Sequence, residues 1–237
     1  MIYLYDVIFK YPILNLLVFF YETIAFHDLG LAIILVTLAI RLVLYPFFHA
    51  GVKQQMLMQR IQPHVKRIQE QHKGDREKQA QALMELYKEH GVNPFSSFLL
   101  LIIQLPILIA LYRIILSGLS AGSLGGLYPF VPPPGVINTV FLGFIHLTAK
   151  NFWLVAIAAV FQYIQGRLAI WRDPTDTSPL SPQERMARQM SFIGPLVTIV
   201  IFYNLPAAVG LYWLTSSAFS ILQQVIVNRH LRRRFGS

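Results

Sequence analysis

The chain has 237 residues, 55% of them hydrophobic and 13% charged, with a mean hydropathy of +0.52 and a net charge of +9. A soluble domain carries about 25% charged residues, so this composition excludes one and points to a single polytopic helical membrane domain. The absence of cysteine excludes disulfides and thiolate chemistry.

The opening run from Met1 to Val7 has neither a basic leader nor a small-residue cleavage site, and no signal peptide is expected from it. Residues 7–24 are apolar but interrupted by Lys10, Pro12 and Asn15. The expected element is an interfacial helix on the outer surface, with an additional crossing as the alternative. Residues 29–48 form the first expected span. Arg41 lies within it, where an arginine costs about 2.5–3.5 kcal/mol and cannot shed its proton. No other expected span contains an acidic residue. Such a cation faces water, polar side chains or an acidic substrate.

Residues 50–91 form a polar helical insert. Ile61, Val65 and Ile68 make an apolar stripe on its first arm, and Leu83, Leu86 and Tyr87 make one on the second. Lys73-Gly74-Asp75 suits the turn between two antiparallel helices, and Pro63 is expected to kink or restart the first arm. The insert reads either as a solvated spacer or as a mobile arm that meets partners. Span two covers 95–117. Residues 118–150, with Gly122, Gly125, Gly126 and three prolines at 132–134, cannot be one helix. Their later part, Val136 to Leu147, is expected to form a short interfacial helix. Gly118-x-x-x-Gly122 is weak evidence for dimerisation.

Span three covers 152–170, a polar loop follows at 171–189, and span four at 190–204 rises only about 22 Å. Span five covers 207–227, and a basic tail occupies 228–237. Sixteen of the twenty lysines and arginines fall on the insert, on the loop after span three with its junction at Arg167, and on the tail. The positive-inside rule therefore places these segments in the cytoplasm and the N-terminus outside.

Several polar side chains repeat at helical spacing within the spans. Thr37 and Arg41 share a face of span one, Gln104 lies mid-span two, and Gln162 and Gln165 share a face of span three. In span five Trp213, Ser216, Ser217, Ser220 and Gln224 form one stripe. Each alone is ordinary helix–helix glue; together with an unpaired arginine they outline a wet cavity. Motifs for metal hydrolysis, a serine nucleophile or phosphate binding are absent, so no enzyme activity, cofactor or metal is expected.

The pattern resembles the YidC/Oxa/Alb family of membrane protein insertases. The resemblance rests on Gly30 through Arg41 to Tyr45-Pro46, on Ile61-Gln-Pro63, on Tyr87-Lys-Glu-His-Gly-Val-Asn-Pro94, on Gln104-Leu-Pro-Ile-Leu-Ile-Ala-Leu-Tyr112, and on Leu205 through Tyr212-Trp213 to Gln224. It implies five transmembrane helices with a cytoplasmic helical hairpin and a positively charged groove, open to the cytoplasm and lipid and closed outside. By motif position Arg41, Gln165 and Trp213 match groove sites of the family; Thr37, Gln104, Gln162 and Ser216 are added from their facing. The implied function is insertion and folding of nascent membrane proteins in the bacterial inner membrane. The implied partners are those clients and the lipid bilayer, with no DNA. As it stands, the sequence is expected to lack the large outer domain of many diderm members and the lipobox cysteine of monoderm ones. Its short tail leaves ribosome contact open, and Sec translocon contact is open too. A small anion transporter and a non-catalytic assembly scaffold are the rival readings; the first lacks a clear inverted repeat.

Overall fold

The computed structural model describes residues 2–93, 95–117, 126–170 and 182–235. It is mostly helical. The order is α1 (Ile2–Tyr5), a π-helical turn (Asp6–Lys10), α2 (Tyr11–Thr23), α3 (Leu29–Val43), α4 (Tyr45–Gln71), α5 (Arg76–Glu89) and α6 (Ser96–Leu116). A two-stranded antiparallel hairpin of β1 (Val140–Phe141) and β2 (Ile145–His146) follows, then α7 (Phe152–Ala169), α8 (Pro182–Phe202) and α9 (Ala207–Phe235). Among the described residues, two stretches, Tyr3–Thr23 and Phe152–Ala169, are long and apolar enough to cross a membrane. The bent pair Leu29–Val43 and Tyr45–Gln71 makes a third if it is one span, and Ile102–Leu116 and Ser191–Phe202 are shorter apolar helices.

Asp28 starts α3, its carboxylate accepting the free N–H groups of Gly30 and Leu31. The helix stops at Val43, short of the expected end at residue 48, and the chain turns by 70° into α4. Leu44 leaves helical geometry at φ −88°, ψ 6°, and Pro46 then occupies the first turn of α4, where its missing N–H costs nothing.

Helices α4 and α5 form the antiparallel hairpin that the sequence suggests. Ile61, Val65, Leu86 and Val92 are buried between the arms, with Ile68, Leu83 and Tyr87 packed against them. Gly74 makes the turn at φ +106°, a conformation open to glycine at little cost. Pro63 does not restart the first arm: α4 runs through it, its neighbours Ile61 and Val65 being held by burial. Asp75 caps α5 through the Lys78 amide, and that bond, with the Lys78 ammonium, holds its carboxyl below the usual value of 3.8. The cap is therefore present in full above pH 3.8 and lost as pH falls through the depressed value. Protection of the first-turn amides of α5, corrected for the intrinsic pH dependence of exchange, is expected to fall below that point and to stay constant between pH 5 and 8.

The apolar core occupies one end of the molecule. Leu14, Leu17 and Val18 of α2 pack with Leu29, Ala32, Ile33 and Val36 of α3, Ile107, Leu111 and Ile114 of α6, and Ala207, Ala208 and Leu211 of α9. The segment from Val136 to Leu147 is a β-hairpin rather than the expected helix. Its strands lie across this end, where backbone bonds from Ala207 to Ala149 and from Ala208 to Leu147 tie it to the start of α9. Gly30 is what admits it: a Cβ there would lie 2.1 Å from the Phe141 ring. Gly30→Ala is expected to destabilise by about 1–3 kcal/mol through overpacking, read as a lower unfolding temperature in detergent. An unchanged temperature would mean that Phe141 does not seat there.

Helix α8 begins at Pro182, so residues 182–189 are helical rather than loop, and α9 continues through the basic tail to Phe235. Residues 171–181 of the expected loop, and the Gly118–Gly122 pattern, lie outside the described residues.

Candidate functional site

The helices that build the apolar core change character along their length. In α3 the core residues end at Val36, and Thr37 and Arg41 follow. In α6 they begin at Ile107, and Gln104 precedes them. In α9 they end at Tyr212, and the stripe from Trp213 to Gln224 follows. The polar halves face one another at the end bearing the α4–α5 hairpin and enclose a cavity of about 360 Å³. Its walls come from Arg41 of α3, Phe48, Val52 and Gln55 of α4, Gln104 of α6, Gln162 and Gln165 of α7, Ser191 and Gly194 of α8, and Trp213, Ser216, Ser217, Ser220, Gln223 and Gln224 of α9. Eleven residues separate Trp213 from Gln224, a rise of about 16 Å along α9, roughly half of a hydrocarbon core about 30 Å thick.

Six of the seven residues singled out from the sequence line this cavity: Arg41, Gln104, Gln162, Gln165, Trp213 and Ser216. Thr37 does not. It lies in a narrow crevice beneath, with Arg41, Gln104, Tyr212 and Ser216, and its hydroxyl donates to Ile33 O of its own helix at 2.6 Å.

Arg41 is 7% exposed, and no carboxylate lies within ion-pair distance of it among the described residues. Its guanidinium carbon sits 4.2 Å from the centre of the Phe48 ring. The ring can only reach it because of the bend at Leu44, which folds the first turns of α4 back over the last turn of α3. A face-on ring leaves the five N–H donors at the guanidinium edge free for acceptors.

The remaining walls are partly fixed. Gln104 donates through Nε2 to the Tyr212 hydroxyl, and Thr198 of α8 donates to Gln162 Oε1. The Gln162 amide lies against Gly194, where a Cβ would stand 3.3 Å from Nε2, and Gly166 meets Ser191 similarly at 3.4 Å. These glycines bring α7 and α8 close. At the hairpin end Gln223 reaches Tyr45 O at 3.4 Å, Asn228 donates to Leu168 O at 3.0 Å, and Val52, Met56 and Val227 cluster. The base of α4 is therefore a wall of the cavity and not only an arm. Among the described residues, two buried donors stay unpaired: Trp213 Nε1, whose ring packs on Phe202, and Ser216 Oγ. Buried donors of this kind are satisfied by water or by a bound polar group.

The sequence reading missed Phe48, Tyr212, Thr198 and Gln223. Tyr212 looks like an ordinary core residue beside Trp213, and Thr198 like a lone hydroxyl in an apolar run. Gln223 points into the cavity beside Gln224, which the stripe had included.

Chemically, one cation, several amides and several hydroxyls converge in a concavity beside lipid-facing helices. That set attracts anionic and polar groups, and no carboxylate among the described residues serves it as a counter-ion.

A family model described as 60Kd inner membrane protein matches residues 19–234. The chain is 35% identical over 204 residues to a membrane protein insertase YidC of Francisella philomiragia, an alignment covering 85% of this chain and 32% of that protein. It is 29% identical over 222 residues to one of Geobacter metallireducens, covering 93% and 37%. The chain thus spans about a third of the length of these curated relatives. Its structure is similar to that of an active YidC insertase crystallised with its first transmembrane domain resolved, with a TM-score of 0.59, 29% identity, and coverage of 92% of this chain and 45% of the other.

Proposed function

The chain belongs to the YidC-type 60Kd inner membrane protein family, and from that premise we propose that it inserts nascent membrane proteins into the bacterial inner membrane through the Arg41 cavity. The observation that carries this reading is a buried guanidinium with free donors and no carboxylate partner among the described residues, in a cavity lined by polar groups. An acidic or polar segment of a client supplies the missing partner. While it is held there, only the part of the bilayer beyond the cavity remains to be crossed. The client's apolar helix then leaves into lipid, and its transfer free energy drives the step. No covalent step is involved.

The proposed topology has α3, α6, α7, α8 and α9 crossing, the α4–α5 hairpin and the tail in the cytoplasm, and the N-terminus outside. The basic residues support this orientation. Tyr3–Thr23 is long enough to cross as well, but its surroundings favour an interfacial position. Asn15, midway along α2, donates to Gly126 O and accepts from Tyr128 N, and Tyr21 accepts from Asn138 N. An irregular loop is therefore bonded along α2, and exposed irregular backbone does not occur at hydrocarbon depth. Phe130 and Val136 of that loop are 77% and 100% exposed. The cavity is also walled by one short span: α3 has 15 residues, a rise of about 22 Å, which favours a thinned bilayer beside it.

The test is reconstitution. The purified chain in lipid vesicles is expected to convert a short single-span client to a protease-protected form, and single cysteines at Gln165 and Ser217 are expected to crosslink to a stalled client. Absence of both results in vesicles holding folded protein would refute the reading.

A further inference from the structure

Among the described residues, three non-glycine residues adopt the left-handed backbone: Phe26 at φ +52°, His27 at φ +59° and Leu142 at φ +52°. They belong to two segments far apart in sequence, the α2–α3 corner and the tip of the β-hairpin. Asp28 joins the two: one carboxylate oxygen caps α3, and the other accepts from the Leu142 amide at 2.9 Å. Left-handed bulky residues are costly and persist where surrounding structure holds them, and they cluster at functional surfaces. Here the strain has a visible consequence. It presents Phe26, Leu142 and Phe144 outward, at 87%, 57% and 71% exposure.

We propose that this corner, Phe26 with the hairpin tip Leu142-Gly143-Phe144, is a wedge that docks into the interfacial layer of the outer leaflet, its partner being the lipid surface. Three observations select lipid. The corner leads directly into α3, which begins at Leu29 and crosses in the proposed topology, so it sits where that helix enters the outer leaflet. Its polar backbone is already occupied, since the tip is a paired hairpin and the Leu142 amide is bound, so entry exposes few unpaired groups. Its carboxylates are engaged: Asp28 by three backbone amides, and Glu22 by the His27 ring at 3.4 Å. The aromatic and leucine side chains suit the headgroup boundary. The inference rests on the proposed topology and not on insertase activity.

The chain has no cysteine, so single substitutions Phe26→Cys, Leu142→Cys and Phe144→Cys can each carry an environment-sensitive nitrobenzoxadiazole label. The labelled proteins are reconstituted in vesicles of phosphatidylethanolamine and phosphatidylglycerol, with Lys73→Cys on the hairpin turn as the hydrated control. All three side chains are exposed, so the fold tolerates their replacement. The expected result is a shift of emission to shorter wavelength than at Lys73, quenching by nitroxides on the upper acyl chain, and loss of quenching by iodide. Water-like emission with full iodide quenching at all three sites overturns the proposal. So does water-like emission in these vesicles that turns apolar only in native membranes, which would make the occupant a protein. Labels that are lipid-quenched but lie on the same side as Lys73 would uphold the wedge and refute the topology.

Discussion

Arg41→Ala is expected to lower insertion of a client with an acidic tail by tenfold or more, with a smaller loss for a client whose tail is neutral. The magnitude follows from the environment. A guanidinium and a carboxylate about 4 Å apart interact by about 4 kcal/mol at an effective dielectric of 20, and about 1.4 kcal/mol of net differential binding is already tenfold. Arg41→Lys keeps the charge but loses the planar fork and the flat stack on Phe48, so an intermediate loss is expected. The substitution also separates function from folding. Removing a charge that has no carboxylate partner among the described residues relieves a burial cost of about 2.5–3.5 kcal/mol, so Arg41→Ala is not expected to melt earlier than the parent. Insertion of the acidic client at the parental rate by both variants would sink the proposed role. A thiol at position 41 that cytoplasm-facing reagents cannot reach would count against it equally.

How much of this could be read from the chain alone depends on the range of the interaction. Arg41 stood out because a charge inside an apolar run is a local anomaly, and the α9 stripe because helical spacing is a local period. The hairpin was legible for the same reason: two apolar stripes and a glycine turn lie within one contiguous segment. The β-hairpin was not, because two-residue strands are too short to show an alternating period, and its position depends on Gly30, far away, leaving room for Phe141. The pairing of Thr198 with Gln162 joins α8 to α7, and no periodicity within either helix reports it. The start of α8 was masked by composition, since a Pro- and Ser-rich run reads as loop although Pro182 suits the first turn of a helix.

Phe48 was hidden by geometry of another kind, and it yields the sharpest further expectation. In an unbroken helix residue 48 would lie two turns, about 10 Å, beyond Arg41, too far for its ring to cover the guanidinium. The 70° bend at Leu44 closes that gap. Phe48→Glu places a carboxylate where the ring now stands, supplying a counter-ion that no described residue provides. It is expected to depress insertion of the acidic client by more than tenfold, close to the level of Arg41→Ala, because the client's carboxylate must then compete with a tethered one. Phe48→Leu removes the cation–π contact while keeping an apolar side chain, and a loss of about two- to tenfold is expected from a contact of about 0.5–1 kcal/mol or somewhat more. The double variant Arg41→Ala with Phe48→Leu is decisive, since residues acting through one group are not additive. If Phe48 acts through Arg41, adding Phe48→Leu to Arg41→Ala costs little more. Losses that multiply would mean that position 48 works by packing the base of α4, and that Arg41 needs no positioning ring.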